Sequence, residues 1–134
     1  MKYSMAHLID SSVWIALFLD FDTQHKKAVL FFDDLRGNIY IPYCVVNETT
    51  TILAYKHSKQ QADNFLTYVE HNSAVTLISD NAEEEIVYYK SLTNKISFTD
   101  AALLLLSQKL GAELVTFDKQ LARVAKGAKS PRCA

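Results

Sequence analysis

The sequence is poor in the residues that mark several protein classes. Only three glycines and two prolines occur in 134 residues, which leaves little turn chemistry for the many tight hairpins of an all-β fold. The two cysteines, Cys44 and Cys133, form no CxxC or Cys/His zinc pattern, and a reducing compartment would keep them as thiols. The longest purely apolar stretch, Ala101 to Leu106, falls far short of the ~20 residues of a membrane span. The amino-terminal apolar run is interrupted by His7, Asp10, Ser11 and Ser12. It makes a poor secretory signal, so the expected location is cytoplasmic, with no membrane partner. His7, His25, His57 and His71 show no HxxxH-like metal spacing. Charge of one sign is absent as well: 14 basic residues face 15 acidic ones, so bulk electrostatics announce no nucleic-acid binder.

What is present describes a globular chain. Its length suits one domain over residues 1–134, and 49% hydrophobic with 22% charged residues are globular values. Ala6-His7-Leu8-Ile9 before Asp-Ser-Ser predicts a buried strand ending at a helix cap, with a helix over Val13 to Leu19. A helix over Thr23 to Leu35 stops near Gly37, and Ile39-Tyr40-Ile41 forms a short strand before Pro42. Apolar residues at helical spacing predict two further helices parted near Ser58. Val75 to Ile78 reads as a strand, and residues from Asp80 to Glu83 cap a helix reaching about Thr93. A core helix over Ser97 to Leu110 ends at Gly111. Leu114-Val115-Thr116-Phe117 is the last strand, with a short helix from Lys119. Strands separated by helices imply an α/β fold, a small parallel sheet with helices on both faces.

That topology gives four acids a meeting place. Asp10 follows the first strand and Asp118 ends the last, so both should emerge at one edge of a parallel sheet, where functional crevices lie. Asp100 sits in the first turn of the core helix. Glu48 lies on the 45/48/52 face of its helix, among residues expected to point inward. Each acid also has a plain structural reading. Asp10 and Asp118 suit helix N-caps, Asp100 suits a Ser97-x-x-Asp100 capping box, and Glu48 suits a buried ion pair with a lysine. Four converging carboxylates are harder to explain, because two unit charges ~4 Å apart repel by about 4 kcal/mol at an effective dielectric near 20. A divalent cation is the simplest compensation.

Leu8-Ile9-Asp10-Ser11-Ser12, Val46-Asn47-Glu48, Ser97-Phe98-Thr99-Asp100-Ala101 and Val115-Thr116-Phe117-Asp118 together resemble the ordered acidic motifs of PIN domains. They span about residues 6 to 123. The resemblance implies a metal-dependent endoribonuclease, most often the toxin subunit of a VapBC-type toxin–antitoxin pair. It also implies an RNA substrate, a small antitoxin partner and a homodimer. By matching position, Asp10, Glu48, Asp100 and Asp118 form the acidic cluster, with Ser12, Ser97 and Thr116 as neighbouring polar residues. Hard oxygen donors suit Mg²⁺ or Mn²⁺. Asp10 and Asp100 are the expected direct ligands, Asp118 completes a second position, and Glu48 holds or activates a water. The chain departs from the pattern at Ala125 to Ala134, which lacks the apolar run of a final strand.

The remaining charge is unevenly placed. Lys119, Arg123, Lys126, Lys129 and Arg132 follow Asp118, after which no acid occurs. Lys119 and Arg123 are the expected phosphate contacts, while a solvated tail is the plain alternative. Other classes fit less well. A receiver-like signalling domain would need further acids beside Asp10, and an Asp-x-Asp phosphatase is disfavoured by Ser12. A PIN fold without catalysis, serving RNA binding or assembly, is the other alternative.

Overall fold

The computed structural model describes residues 5–129. In chain order its elements are β1 (Ala6–Ile9), α1 (Ser11–Phe18), α2 (His25–Asp34), β2 (Asn38–Pro42), α3 (Tyr43–Lys56) and α4 (Lys59–His71). They are followed by β3 (Val75–Ile78), α5 (Ala82–Ser91), α6 (Phe98–Leu110), β4 (Glu113–Val115) and α7 (Lys119–Lys129). The four strands form one sheet in the order β3-β2-β1-β4. Every pairing is parallel, with Leu8 beside Tyr40 on one side and Leu114 on the other. The expected α/β architecture is what the chain adopts. Among the described residues no helix is long and apolar enough to cross a membrane.

The central strands explain their own burial. Leu8 and Ile9 of β1 and Ile41 of β2 are fully buried, as expected of parallel strands covered on both faces. Helix α6 buries Ala101, Ala102, Leu103, Leu104 and Leu106, so its apolar run packs on nearly every side. Gly111 closes that helix at φ +62°, a left-handed geometry that glycine adopts without a Cβ penalty. Gly37, at φ +99°, is required for a second reason: a Cβ there would collide with the Met5 carbonyl oxygen. Trp14 is buried at the centre of an aromatic cluster, 5.1 Å from the Phe32 ring and 5.6 Å from that of Phe65.

Several boundaries differ from the sequence reading, each for a local reason. Helix α1 begins at Ser11 because Asp10 caps it directly, accepting the Ser11 N–H. Strand β4 stops at Val115, and Thr116 instead turns its hydroxyl toward Asp10. Asn81 rather than Asp80 caps α5, accepting the Glu84 N–H at 3.1 Å. The last helix runs to Lys129 and is longer than expected, and no fifth strand occurs among the described residues. Arg132 and Cys133 lie outside them.

Candidate active site

Because all strands run parallel, their carboxyl ends share one edge, and Asp10 is the first residue beyond β1 there. Its N–H extends the ladder to the Val115 carbonyl at 2.9 Å. Asp10 is only 6% exposed, and a buried carboxylate requires compensation. Oδ1 accepts the Ser11 N–H at 2.7 Å, while Oδ2 accepts the Ser12 hydroxyl at 3.1 Å and the Thr116 hydroxyl at 2.8 Å. The two hydroxyls are themselves held: Ser12 Oγ accepts the Phe117 N–H at 3.1 Å, and Thr116 Oγ1 accepts the Asp118 N–H at 3.0 Å. One network therefore ties the ends of β1 and β4 together and aims Asp10. Ser12 and Thr116, both singled out in the sequence, thus share Asp10 Oδ2 as their acceptor.

Ser11 belongs to this network, and the sequence reading missed it. Its hydroxyl is buried and donates to Glu48 Oε1 at 2.8 Å, with Asp10 Oδ1 also near at 3.4 Å. It therefore links the acid of β1 to the acid of α3. The available signal was a serine at the first position of an apolar helix, where a buried hydroxyl requires a partner.

Glu48 itself requires a correction. It is exposed, not on an inward face. The buried stripe of α3 is Val45, Thr49 and Leu53, and Glu48 is one residue, roughly 100° around the helix, away from it. No lysine pairs with it among the described residues. Burial therefore does not force its compensation, yet Glu48 still lines the same cavity as Asp10.

Asp100 and Asp118 are both caps and something more. Ser97 caps α6 by accepting the Asp100 N–H at 3.0 Å. The reciprocal half of a capping box, from the Ser97 N–H to the Asp100 carboxylate, is not made among the described residues. The carboxylate is thus not consumed by capping. Asp118 uses Oδ1 to accept the Gln120 and Leu121 N–H groups at 2.9 and 3.1 Å, and Oδ2 takes no hydrogen bond among the described residues. Burial raises the Asp100 pKa above the usual carboxylate value, and the charges of Asp10 and Asp118 raise it further. The Ser97 hydroxyl opposes this in part, and Glu48 adds a smaller upward push.

The four acids line one open cavity of about 770 Å³, together with Asp80 at the end of β3. No lysine, arginine or histidine is among its lining residues, so among the described residues the lining supplies no countercharge. Hard carboxylate oxygens, mutual repulsion and unshared lone pairs fit a divalent cation. Among the described residues no three His, Cys, Asp or Glu side chains close into a ready coordination sphere. Cys44 also lines the cavity, but burial, with Asp80 and Glu85 nearby, pushes its thiol up to about 12. It stays protonated and is a poor nucleophile.

The basic residues stand apart from the cavity. Lys119 opens α7 directly after Asp118, and it and Arg123 are exposed at i and i+4. Arg123 lines a separate groove with Tyr88 of α5, Leu92 just beyond that helix and Leu104 of α6. Neither lines the acidic cavity.

Fold and acidic cavity together define a small α/β protein with a carboxylate site at the carboxyl edge of its sheet. Residues 7–127 match the family model described as PIN domain, and the chain belongs to that family. No curated protein matches it. It is similar to the structure of VapC20 from Mycobacterium tuberculosis, a sarcin-ricin loop cleaving toxin, with a TM-score of 0.79 and 21% identity over 88% of this chain and 94% of that one. It is also similar to VapBC2 from Rickettsia felis, bound to a DNA fragment from its promoter (TM-score 0.62, 17% identity, 89% and 92% covered). FitAcB from Neisseria gonorrhoeae gives a TM-score of 0.62 at 14% identity, with 90% and 93% covered. At these identities the likeness is one of fold.

Proposed function

We propose that the protein is a metal-dependent endoribonuclease, Mg²⁺ or Mn²⁺ being its cofactor, and the toxin of a toxin–antitoxin pair. The observation that carries this reading is the cavity shared by Asp10, Glu48, Asp100 and Asp118 without any lining cation. The toxin assignment draws on the fold likeness to VapC20, itself a toxin, and to VapBC2. The whole chain acts as one nuclease domain. Its partners are RNA, a small antitoxin and a second copy of the chain, for which the exposed Leu77 on edge strand β3 offers apolar contact.

Asp10 and Asp100 would hold the ion directly, and the free oxygen of Asp118 would complete a second position. When bound, the ion supplies Lewis acidity that activates water and neutralises charge on the scissile phosphate. Glu48, aimed by Ser11, orients the attacking water and accepts its proton. Water oxygen adds to phosphorus as the bond to the leaving ribose oxygen breaks. Ser12 and Thr116 keep Asp10 in position, and Ser97 holds the first turn of α6 that carries Asp100. Lys119 and Arg123 contact phosphates farther along the strand.

Asp10→Asn and Asp100→Asn test the assignment. Each should lower Mn²⁺-dependent cleavage of RNA by about three orders of magnitude, the equivalent of several kcal/mol of lost charge stabilisation. Far-ultraviolet circular dichroism should stay unchanged. Undiminished cleavage by either purified variant removes its role.

A further inference from the structure

The cavity is larger than a metal site requires. At about 30 Å³ per water, an ion with six waters fills roughly 200 Å³, against about 770 Å³ observed. The remaining space extends along α3 toward the ends of β2 and β3, where the lining residues are Tyr43, Asn47, Thr51 and Asp80. Tyr43, Asn47 and Thr51 recur every fourth residue on α3 and so form one stripe. The stripe is exposed, Tyr43 to 54%. None of the three side chains makes a hydrogen bond among the described residues. An unpartnered aromatic face, an amide and a hydroxyl thus point into the cavity beside Glu48.

Charge decides what could occupy this space. Asp80 adds a fifth acid, and no basic residue among the described ones lines the cavity to offset it, so a phosphate is repelled wherever no metal ion covers it. The uncharged part of a nucleotide is not repelled. Single-stranded RNA is recognised by stacking its unpaired bases on aromatic side chains and hydrogen-bonding their edges.

We infer that Tyr43, Asn47 and Thr51 form a base-binding subsite for one unpaired RNA base next to the scissile phosphate. Tyr43 stacks on the base, and Asn47 and Thr51 hydrogen-bond its edge. This rests on the ribonuclease reading, which the metal ligands carry and which the α3 stripe refines by adding base recognition.

The test uses the full-length protein and a fluorescein-labelled single-stranded RNA 12-mer of mixed sequence, with versions carrying one abasic nucleotide at successive positions. Tyr43→Ala should lower kcat/KM about tenfold, mainly through KM, since stacking on an aromatic side chain contributes binding of that order. Tyr43→Phe should stay within twofold of wild type, because the ring and not the hydroxyl stacks. At one abasic position wild type should lose activity by a similar factor, and Tyr43→Ala should lose nothing more. Equal activity of Tyr43→Ala and wild type overturns the subsite, as does a Tyr43→Phe defect as large as that of Tyr43→Ala. If wild type shows no Mn²⁺-dependent cleavage, the ribonuclease reading has failed. The subsite is then judged by anisotropy with the same 12-mer, where weaker binding by Tyr43→Ala supports it and equal binding overturns it. Unchanged RNA kinetics with lost binding of a cationic peptide would assign the stripe to a protein partner and also overturn it.

Discussion

Two of the acids face the same cavity under opposite regimes. Asp10 is buried and accepts hydrogen bonds from a backbone N–H and two hydroxyls, each of them anchored in turn. Its carboxylate is held in place by the fold itself. Asp100 stands across the cavity on the first turn of α6, with the Ser97 hydroxyl as its one favourable partner and three acids acting against it. Its charge is left unstable by the fold. The contrast separates a rigid anchor, present whether or not an ion is bound, from a group whose ionisation an arriving cation would favour.

The largest effect is expected at the anchor. Asp10→Ala removes a helix cap and leaves the Thr116 and Ser12 hydroxyls without their acceptor, so it should destabilise the fold by about 3 kcal/mol. Asp118→Ala, losing an exposed cap, should cost about 1 kcal/mol. Urea titrations that rank the two the other way would show that the Asp10 network is not what holds this edge. Ser11 bridges the anchored Asp10 and Glu48. Ser11→Ala should weaken Mn²⁺ binding about tenfold, as is usual when an outer partner of a ligand is removed, and Ser11→Thr should recover most of it. Calorimetric titration with Mn²⁺ giving equal affinity for Ser11→Ala and wild type would exclude the bridge. The smallest effect is expected outside the cavity. Replacing Lys119 and Arg123 together by Ala should lower the salt slope of RNA binding by about two, one for each phosphate contact. An unchanged slope would assign these exposed cations to another partner.

The same contrast explains what could be read from the sequence. Order and type of the elements were legible because α6 carries an unbroken apolar run and β1 is short, mostly apolar and followed by Asp-Ser-Ser, and Gly111 and Ser58 mark helix ends by their own backbone and capping chemistry. The parallel sheet followed from strands spaced by helices, and with it the convergence of Asp10 and Asp118. Local side-chain direction was not legible. Glu48 reads as inward when Val45 and Ile52 are taken as the buried stripe, but the stripe is Val45, Thr49 and Leu53. A polar threonine in the core hides the true face. The Ser11 link to Glu48 joins residues 37 positions apart, and no local pattern encodes it. The expected final strand was absent from the pattern of Ala125 to Ala134, and the helical periodicity of Leu121, Val124 and Ala125 instead continues α7.

The central claim, that the acids form one cation site and are not unrelated caps, is tested most directly by thermal melts of wild type and Asp100→Asn with and without Mn²⁺. A carboxyl whose folded-state pKa is raised binds protons more readily in the folded state. It destabilises the fold above that pKa, and the penalty fades as pH falls toward the unfolded value. Metal-free wild type should therefore gain stability as the pH is lowered from 7 through the raised Asp100 value, and Asp100→Asn should flatten this dependence and melt higher at pH 7. Mn²⁺ at one hundred times its dissociation constant should raise the wild-type Tm at pH 7 by about 10 °C, from about 2.7 kcal/mol of linkage. The gains from metal and from the substitution should not add, because Asp100→Asn has lost a ligand. A melt in which Mn²⁺ has no effect and Asp100→Asn is neutral or destabilising would contradict the account.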